Sequence, residues 1–217
     1  MRSGMPGDVS ADCGSLFRQR ANPQNPKPNL EVGLIGWPVE HSVSPAMQNA
    51  AFEAVGLNWR YVLLPAPLAE VEDIVSDLRA GVYRGANVTV PHKQAVMSLL
   101  DEISDAARSI RAVNTIVVQG KKVGSVGLPL QLVGHNTDGE GFLAALAEAG
   151  FDIRGRRALV LGAGGGARAV VHALAGAGCS VTIYNRTVQR AAQLAQDRRA
   201  SAGQAPVNWL PNASDLA

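Results

Sequence analysis

Several polar side chains of this 217-residue chain stand at or just past the ends of short apolar runs, where strands would carry them to a ligand. They are Ser42 and Ser44 in HSVSP, Asn87, Thr89 and Lys93 in ANVTVPHK, Asn114 in AVNT, and Asp138 in HNTDG. Open α/β sheets bind ligands at the carboxyl ends of their strands. Taken alone, Ser44 or Asp138 could equally be a helix N-cap, and Lys93 a surface lysine. Only their combination indicates a site.

A glycine-rich segment, ALVLGAGGGARAVVHALAGAGCSVTIYNR, predicts dinucleotide binding. Gly162, Gly164 and Ala167 fit the pattern G-x-G-x-x-A between an apolar run and a helical pattern. The first glycine permits a tight turn, the second lets the backbone approach a pyrophosphate, and the alanine keeps helix and strand close. Phosphates would meet the free N–H groups and the positive end of the helix. The predicted cofactor contacts are Gly162, Ala163, Gly164, Gly165, Gly166 and Ala167.

The end of the next apolar run favours NADP over NAD. An NAD site has an acidic residue there, which accepts a hydrogen bond from the ribose 2′-hydroxyl. This chain instead has Asn185 and Arg186, with Arg190 one helical turn further on. A guanidinium pairs with a 2′-phosphate that a carboxylate would repel. The alternative is that both arginines are ordinary solvated surface residues.

Apolar runs and helical patterns alternate along the chain and predict an α/β fold. We expect strands at 31–35, 59–64, 86–90, 114–118, 158–161, 181–184 and 207–210. Helices are expected at 45–55 with Ser44 as N-cap, and at 68–80, 94–100, 105–110, 140–149, about 165–177 and 187–200, with an irregular stretch at 120–133.

These elements predict an N-terminal α/β substrate domain with a mostly parallel sheet at 29–150, and a partial Rossmann NADP-binding domain at 151–217. The Asn- and Pro-rich residues 1–28 are expected to be a disordered leader. Apolar residues at 47% and charged residues at 18% are ordinary for a globular protein.

Charge and composition exclude several classes of partner. The net charge of +2 is dispersed and gives no reason to expect nucleic acid or an anionic membrane. No apolar run approaches the length of a signal peptide core or a membrane span, so we expect a cytoplasmic protein. Cys13 and Cys179 are far apart, and the histidines are scattered, so neither a disulfide framework nor a metal site is expected.

The motifs GWPVEHSVSP, ANVTVPHK, AVNT, NTDG, GAGGGAR and NRT, over about residues 31–210, resemble the shikimate dehydrogenase family in order and spacing. That family joins an α/β substrate domain to a Rossmann domain and reduces 3-dehydroshikimate to shikimate with NADPH, in the biosynthesis of chorismate and the aromatic amino acids. The resemblance implies the same activity, with NADP as cofactor and shikimate as substrate. It leaves a homodimer open.

The resemblance also implies roles for single residues. Lys93 and Asp138 match the family's catalytic pair. The residues that match its substrate contacts are Ser42, Ser44, Thr89, Asn114 and Asp138. Those that match its adenosine-phosphate loop are Asn185, Arg186, Thr187 and Arg190, and Asp105 is a weaker match to an acidic residue near the cofactor.

The chemistry of ketone reduction suits these residue types. Hydride that reaches the carbonyl carbon leaves negative charge on the oxygen, which a positioned ammonium group can protonate or stabilise. Asp138 could hold Lys93 in place and accept a hydrogen bond from a neighbouring substrate hydroxyl. Hydroxyl and amide side chains suit a polyhydroxylated ring, because buried hydrogen-bonding groups reject analogues that lack the partner.

The chain departs from the family pattern in two places. Residues 120–133 are longer and more apolar than the usual short hairpin before NTDG, and the sequence ends at Ala217, before the remaining Rossmann strands. We therefore expect a C-terminally truncated sequence with an exposed sheet edge, and weak or no turnover if these 217 residues were the whole protein. Two other functions remain open: a quinate/shikimate dehydrogenase that uses NAD or NADP, and a non-catalytic dinucleotide-binding fragment.

Overall fold

The computed structural model describes residues 30–120, 130–199, 205–212 and 214. The leader expected at 1–28 lies outside these residues. One sheet of six strands and one of three are each flanked by helices, so the predicted α/β fold class is confirmed. Within the described ranges, no helix is both long enough and apolar enough to cross a membrane.

The first sheet has the strand order β2-β1-β3-β5-β6-β4. Its strands are β1 (Leu30–Gly36), β2 (Trp59–Pro65), β3 (Gly85–Val88), β4 (Glu102–Ile103), β5 (Thr115–Gln119) and β6 (Gln131–His135). Three of its five pairings are parallel, and β5 runs antiparallel to both of its neighbours. The sheet is therefore mostly parallel, as predicted, with one reversed strand.

The helices of this part of the chain cover the sheet, and apolar side chains between the helices and the sheet form the core. They are α1 (Ser44–Ala54), α2 (Val71–Ala80) and α3 (Asp105–Ile110), with 3₁₀ turns at Leu68–Glu70 and Ala95–Leu99. Val71, Val75 and Leu78 lie on one face of α2 at helical spacing, and all three are buried against the sheet. The helix predicted at 94–100 is thus a 3₁₀ helix, and the short strand β4 was not predicted.

Three local predictions are wrong. Ser44 is not an N-cap: Val43 holds that position, and the Ser44 N–H donates to Oγ of Ser42 at 3.2 Å. The strand predicted to reach Val90 ends at Val88, because the Val90 carbonyl turns to accept from Trp37 N–H instead.

The third error concerns β6, which occupies residues that we expected to be irregular. This strand pairs with β5 along its whole length, from Gln131 opposite Gln119 to His135 opposite Thr115. Its polar ends and the central Gly134 weaken the strand pattern in the sequence. Gly134 is required by packing, because a Cβ there would lie 2.6 Å from Leu100. Residues 121–129 of the same stretch lie outside the described residues.

The second sheet is the parallel half of a Rossmann fold. Its strands are β7 (Arg157–Leu161), β8 (Ser180–Tyr184) and β9 (Val207–Trp209), in the order β7-β8-β9. They alternate with α5 (Gly165–Gly176) and α6 (Val188–Arg199), after α4 (Asp138–Glu148). We call residues 30–135 the first lobe and residues 138–214 the second lobe. The predicted domain boundary near 150 stays a prediction, since α4 precedes it and yet packs Phe142 and Leu146 into the second lobe's core.

One edge of the second sheet is open. Among the described residues, β7 pairs with β8 alone, and its Leu159 and Leu161 side chains are 49% and 70% exposed. The unpaired backbone groups along the free edge of such a strand can pair with a further strand. An exposed edge was expected here.

Candidate active site

Lys93 and Asp138 form a salt bridge where the two lobes meet. Nζ of Lys93 donates to Oδ2 of Asp138 at 2.6 Å, and the two side chains are 16% and 27% exposed. Lys93 lies in the loop after β3, and Asp138 is the first residue of α4, where the helix dipole favours a carboxylate. The pair is therefore shielded but still open to a ligand. Its catalytic role remains a prediction.

Two hydrogen bonds hold the loop that carries Lys93 to residues at the ends of β2 and β5. His92 is fully buried, and its Nε2 donates to the Ala66 carbonyl, just past β2, at 2.6 Å. The Val113 N–H, just before β5, donates to the Lys93 carbonyl at 2.7 Å. Both contacts fix the backbone of Lys93 and so limit where its ammonium group can point. No role had been assigned to His92 from the sequence.

Asn114 orients the Asp138 carboxylate. Nδ2 of this buried asparagine donates to Oδ1 of Asp138 at 2.7 Å, while its own Oδ1 accepts from Thr137 N–H at 3.0 Å. The Asp138 N–H in turn donates to Oδ1 of Asn136 at 3.1 Å. With one oxygen held by Asn114 and the other by Lys93, the carboxylate cannot rotate without loss of a hydrogen bond. Asp138 is not an N-cap, because Thr137 holds that position.

Residues that the sequence analysis did not assign extend this network. The Tyr61 hydroxyl donates to Oδ1 of Asn87 at 2.9 Å, Nδ2 of Asn87 lies 3.3 Å from Oγ1 of Thr115, and Thr115 donates to Asn114 at 2.9 Å. Burial raises the pKa of Tyr61 to about 12, so its hydroxyl keeps its proton. The sequence signal for Tyr61 is a polar hydroxyl in a mostly apolar strand, and for Thr115 its place directly after Asn114.

The predicted substrate contacts Ser42, Ser44 and Thr89 border the loops after β1 and β3. Oγ of Ser42 donates to Oγ of Ser44 at 3.1 Å, and both side chains are partly exposed. Gly36 ends β1 directly against Thr89, since a Cβ there would lie 2.4 Å from Cγ2 of Thr89. Among the described residues, no hydrogen bond joins these three side chains to Lys93 or Asp138. They flank the pair rather than contact it.

The glycine turn lies against Lys93. Gly162 has a φ of 121°, which favours glycine, and its N–H donates to the Tyr184 carbonyl at 2.8 Å. A Cβ on Gly165 would lie 2.8 Å from Cβ of Lys93, so the first turn of α5 touches the stem of the lysine. The predicted cofactor turn and the predicted catalytic pair are thus neighbours.

The same turn can accommodate a dinucleotide. A Cβ on Gly164 or Gly166 would meet nothing within 4 Å, so the backbone faces open space there. Gly164 caps α5 without any side-chain bond, which leaves N–H groups of the first helical turn for a phosphate. Ala163 is buried and Ala167 packs 3.9 Å from the Cβ position of Gly162. These features fit the pyrophosphate of NADP.

The residues after β8 place two exposed arginine side chains on one loop and the start of α6. Nδ2 of Asn185 donates to the Thr187 carbonyl at 2.8 Å, and this carbonyl also accepts from Arg190 N–H at 3.0 Å. The Arg186 and Arg190 side chains are exposed, and in the part of the chain that the structure describes neither pairs with a carboxylate. They are therefore available to a 2′-phosphate.

Asp105 is not brought to the glycine turn by any described contact. It is exposed at the start of α3, and its place near a cofactor stays a prediction. Within the described ranges, no group of three or more His, Cys, Asp or Glu side chains could hold a metal ion.

Two family models match the chain. One, described as the shikimate dehydrogenase substrate binding domain, covers residues 34–116, and the other, described as shikimate / quinate 5-dehydrogenase, covers residues 145–213. The shikimate dehydrogenase (NADP(+)) of Moorella thermoacetica is 50% identical over 165 residues, which are 76% of this chain and 53% of the relative. The chain thus spans about half the length of the curated relatives it matches.

Solved structures agree. Shikimate dehydrogenase from Aquifex aeolicus is similar at a TM-score of 0.75 and 35% identity, over 86% of this chain and 64% of that one. The Thermus thermophilus enzyme in complex with NADP(H) and shikimate is similar at a TM-score of 0.71 and 39% identity, over 84% and 63% of the two chains. Both lobes, the glycine turn and the matched models lead to one conclusion: the chain belongs to the shikimate dehydrogenase family.

Proposed function

We propose that this protein is an NADP-dependent shikimate dehydrogenase that reversibly reduces 3-dehydroshikimate to shikimate, in the biosynthesis of chorismate and the aromatic amino acids. The observation that carries the proposal is the Lys93–Asp138 salt bridge of 2.6 Å beside the glycine turn. The names of the relatives and the Thermus complex with NADP(H) and shikimate support the cofactor and the substrate.

Lys93 is the proposed proton donor of the reduction. NADPH held at the glycine turn, residues 162–167, would supply the hydride for the ketone carbon. As the oxygen gains negative charge, the Lys93 ammonium donates a hydrogen bond and then its proton, which gives the alcohol; in the oxidation it takes the proton back. Asp138 holds Nζ in place and has its own orientation fixed by Asn114. The protein thereby sets the geometry before the ligand arrives.

The other polar residues at this end are proposed to bind the hydroxyl and carboxylate groups of the ring. They are Ser42, Ser44, Thr89 and Asn114. Support for this assignment is their position at one end of the first sheet. Ser42 and Ser44 follow β1, Thr89 follows β3, and Asn114 directly precedes β5, which is antiparallel to β3. Asn114 reaches substrate through its place beside Asp138, whereas the serines and Thr89 are partly exposed at the rim.

The cofactor is proposed to lie along the glycine turn, residues 162–167, with its 2′-phosphate on Arg186 and Arg190. Asn185 and Thr187 shape that loop through their mutual hydrogen bond. Asp105 is the least supported member of this set. A division into domains at 29–150 and 151–217, a cytoplasmic location and a homodimer also stay predictions, to be tested by limited proteolysis, cell fractionation and sedimentation velocity.

Quinate is the alternative substrate, because one matched model describes shikimate and quinate dehydrogenases alike. Quinate and shikimate differ around the ring that Ser42, Ser44 and Thr89 are proposed to face. Initial rates with each acid, and with NADP⁺ and NAD⁺ in turn, decide between them. A higher kcat/KM for quinate would overturn the shikimate assignment.

The test of the proposal is turnover of shikimate and NADP⁺, followed at the nicotinamide absorbance band. Lys93→Met keeps the apolar stem that packs on Gly165 and removes the ammonium. We expect its kcat to fall by about 10²- to 10⁴-fold, the usual range for a general acid. Binding of both ligands, measured by calorimetry, should be largely retained.

Two outcomes would contradict the proposal in different ways. Equal rates for the wild type and Lys93→Met would remove Lys93 from the mechanism. A wild-type chain that binds neither NADP⁺ nor shikimate would contradict both ligand assignments, whereas binding of both without turnover would favour the non-catalytic alternative.

A further inference from the structure

A buried carboxylate outside the active site joins the two lobes. Asp197 lies on α6 of the second lobe, and its side chain is 4% exposed. Its Oδ1 accepts from Arg111 of the first lobe at 2.7 Å and from Gln193 at 2.9 Å, and its Oδ2 accepts from Arg168 of α5 at 2.9 Å. Arg111 and Asp197 are 86 residues apart in sequence. Asp197 is therefore the centre of an ion-pair network that crosses from one lobe to the other.

Arg111 reaches Asp197 from an unusual backbone position. It is the residue after α3, with φ 58° and ψ 41°, and among the described residues it alone has a positive φ without being a glycine. Glycine adopts this left-handed conformation far more readily. The backbone conformation therefore disfavours arginine at this position. Arginine nevertheless supplies a side-chain contact with Asp197 that glycine could not make.

The residues after Arg111 lead straight into the active site. The Ala112 carbonyl accepts from Nδ2 of Asn136 at 2.9 Å, the Val113 N–H donates to the Lys93 carbonyl at 2.7 Å, and Asn114 holds Asp138. A displacement of Arg111 relative to α6 would therefore move groups that fasten both Lys93 and Asp138.

The ion pair between Asp197 and Arg168 connects the network to the glycine turn. Arg168 is in the first turns of α5, its N–H donates to the Gly164 carbonyl at 2.9 Å, and its side chain is 9% exposed. Ile110, Ala112 and Ala169 form a small buried cluster beside it, between α3 and α5. Apolar packing and the ion pairs thus act at the same junction.

Asp197 is ionised in this setting. Burial raises the pKa of its carboxyl, but hydrogen bonds from Gln193 and Arg168 and the charges of Arg168 and Arg111 outweigh burial and lower the pKa overall. Both arginines consequently face a full negative charge at neutral pH.

We propose that Arg111, Arg168 and Asp197 form an inter-lobe joint that positions Lys93 and Asp138 against the glycine turn. Among the described residues, none of the three side chains forms a hydrogen bond or ion pair with Lys93 or Asp138, so we assign them a positioning role. The inference rests on the proposed function for its catalytic consequence, because it assigns the joint to the alignment of substrate and cofactor. The joint itself is a property of the protein without ligands.

The first measurement therefore needs no ligand. Amide hydrogen exchange, resolved by NMR, reports the opening of the Val113 and Asp138 N–H groups, which lie between the joint and the catalytic pair. Arg111→Gly removes the side chain and favours the local backbone, while Asp197→Asn changes only the second lobe. Each variant should speed exchange at both amides by about tenfold or more relative to amides in the two cores.

Two controls separate a joint from general loss of stability. Arg79→Ala breaks a salt bridge of the same type, Arg79 to Asp101 at 2.7 Å, but inside the first lobe. It should leave the exchange at Val113 and Asp138 unchanged relative to the core. The double variant Arg111→Gly/Asp197→Asn should behave like Asp197→Asn alone, since that substitution already weakens the ion pair with Arg111 as well as the one with Arg168. Unchanged exchange in the single variants, or additive effects in the double, would overturn the joint.

The second measurement concerns positioning. If each ligand binds mainly to its own lobe, Arg111→Gly should lower kcat by about tenfold with KM for shikimate and NADP⁺ nearly unchanged, because small misalignments are costly for hydride transfer. An unchanged kcat beside faster exchange would overturn the positioning role. A wild type without turnover would count against the proposed function alone, and the exchange measurement would still decide on the joint.

Discussion

The two ends of the candidate site are built in different ways. At the catalytic end, Lys93, Asp138 and Asn114 satisfy one another, and the carboxylate is held at both oxygens. At the phosphate end, Arg186 and Arg190 are exposed, and within the described residues they have no carboxylate partner. The first arrangement is complete without a ligand, and the second is proposed to be completed by the 2′-phosphate of the cofactor. Substitutions at the catalytic end should therefore change rates, and those at the phosphate end should change affinity and the choice of cofactor.

After loss of the Lys93 ammonium itself, the largest effect is expected at Gly165, where the glycine turn touches Lys93. Gly165→Ala would place a Cβ 2.8 Å from Cβ of Lys93, so the lysine or the helix must move. We expect kcat to fall by about a hundredfold, because a displacement of about 1 Å in a catalytic group costs about that much in rate. Gly141→Ala is the matched control, because a Cβ there meets nothing within 4 Å. Similar kcat values for both variants and the wild type would show that the contact does not place Lys93.

The next effect concerns the phosphate end. Arg186→Ala should raise the Kd for NADP⁺ by about 10- to 100-fold, as expected for one charge-assisted hydrogen bond, and leave that for NAD⁺ within about twofold. Arg154→Ala removes the same charge from an exposed site elsewhere in the second lobe and controls for overall electrostatics. Isothermal titration calorimetry gives both constants. An equal loss of affinity for the two cofactors would contradict the 2′-phosphate assignment.

A smaller effect should follow from the outer part of the hydrogen-bond network. Tyr61→Phe removes the donor to Asn87 and acts on Asp138 only through Thr115 and Asn114. We expect kcat to fall by about 2- to 10-fold, the worth of one neutral hydrogen bond. Tyr83→Phe deletes a hydroxyl elsewhere in the first lobe and should leave kcat unchanged. If the two variants behaved alike, the network would not extend to Tyr61.

The smallest effect concerns the pH dependence of the stability of the second lobe, at His172, which is outside the candidate site. Burial lowers the pKa of His172, and the charge of Arg198 lowers it further, so the folded protein resists protonation there. The unfolded chain binds that proton near its ordinary pKa of about 6.5. The free energy of unfolding should therefore decrease as the pH falls through about 6.5 toward the lower pKa of the folded state.

His172→Asn tests this pH dependence. The asparagine oxygen takes the place of Nδ1, which lies 2.5 Å from Arg198, but it does not titrate. Urea unfolding between about pH 7 and pH 5 should show a shallower loss of stability for the variant than for the wild type. Identical slopes would assign the acid sensitivity to other groups.

The sequence predicts the parts of the site that follow from local rules. Gly162 is required by turn geometry, Gly164 leaves the backbone open to a pyrophosphate, and Lys93 and Asp138 follow strand ends, so the approximate placement of all four can be inferred from the sequence. The distance between Lys93 and Asp138 cannot, because their loops are brought together by the order of β3, β5 and β6 in the sheet.

Other features depend on contacts between residues far apart in sequence. Arg111 and Asp197 look like ordinary surface charges in the sequence, and they meet only because α3 packs against α5 and Arg168 of α5 holds Asp197 of α6. β6 was missed because antiparallel pairing with β5, rather than its own alternation, holds its residues in the sheet. Ser44 fits the N-cap preference, but Ser42 supplies the hydrogen bond to its N–H instead.

The most direct test is a crystal structure of this chain with NADP⁺ and shikimate bound. The hydroxyl oxygen that is oxidised should lie within about 2.6–3.2 Å of Nζ of Lys93, with the nicotinamide on the side of Gly165. Shikimate bound away from Lys93, or a lysine turned from the hydroxyl toward solvent, would contradict the account.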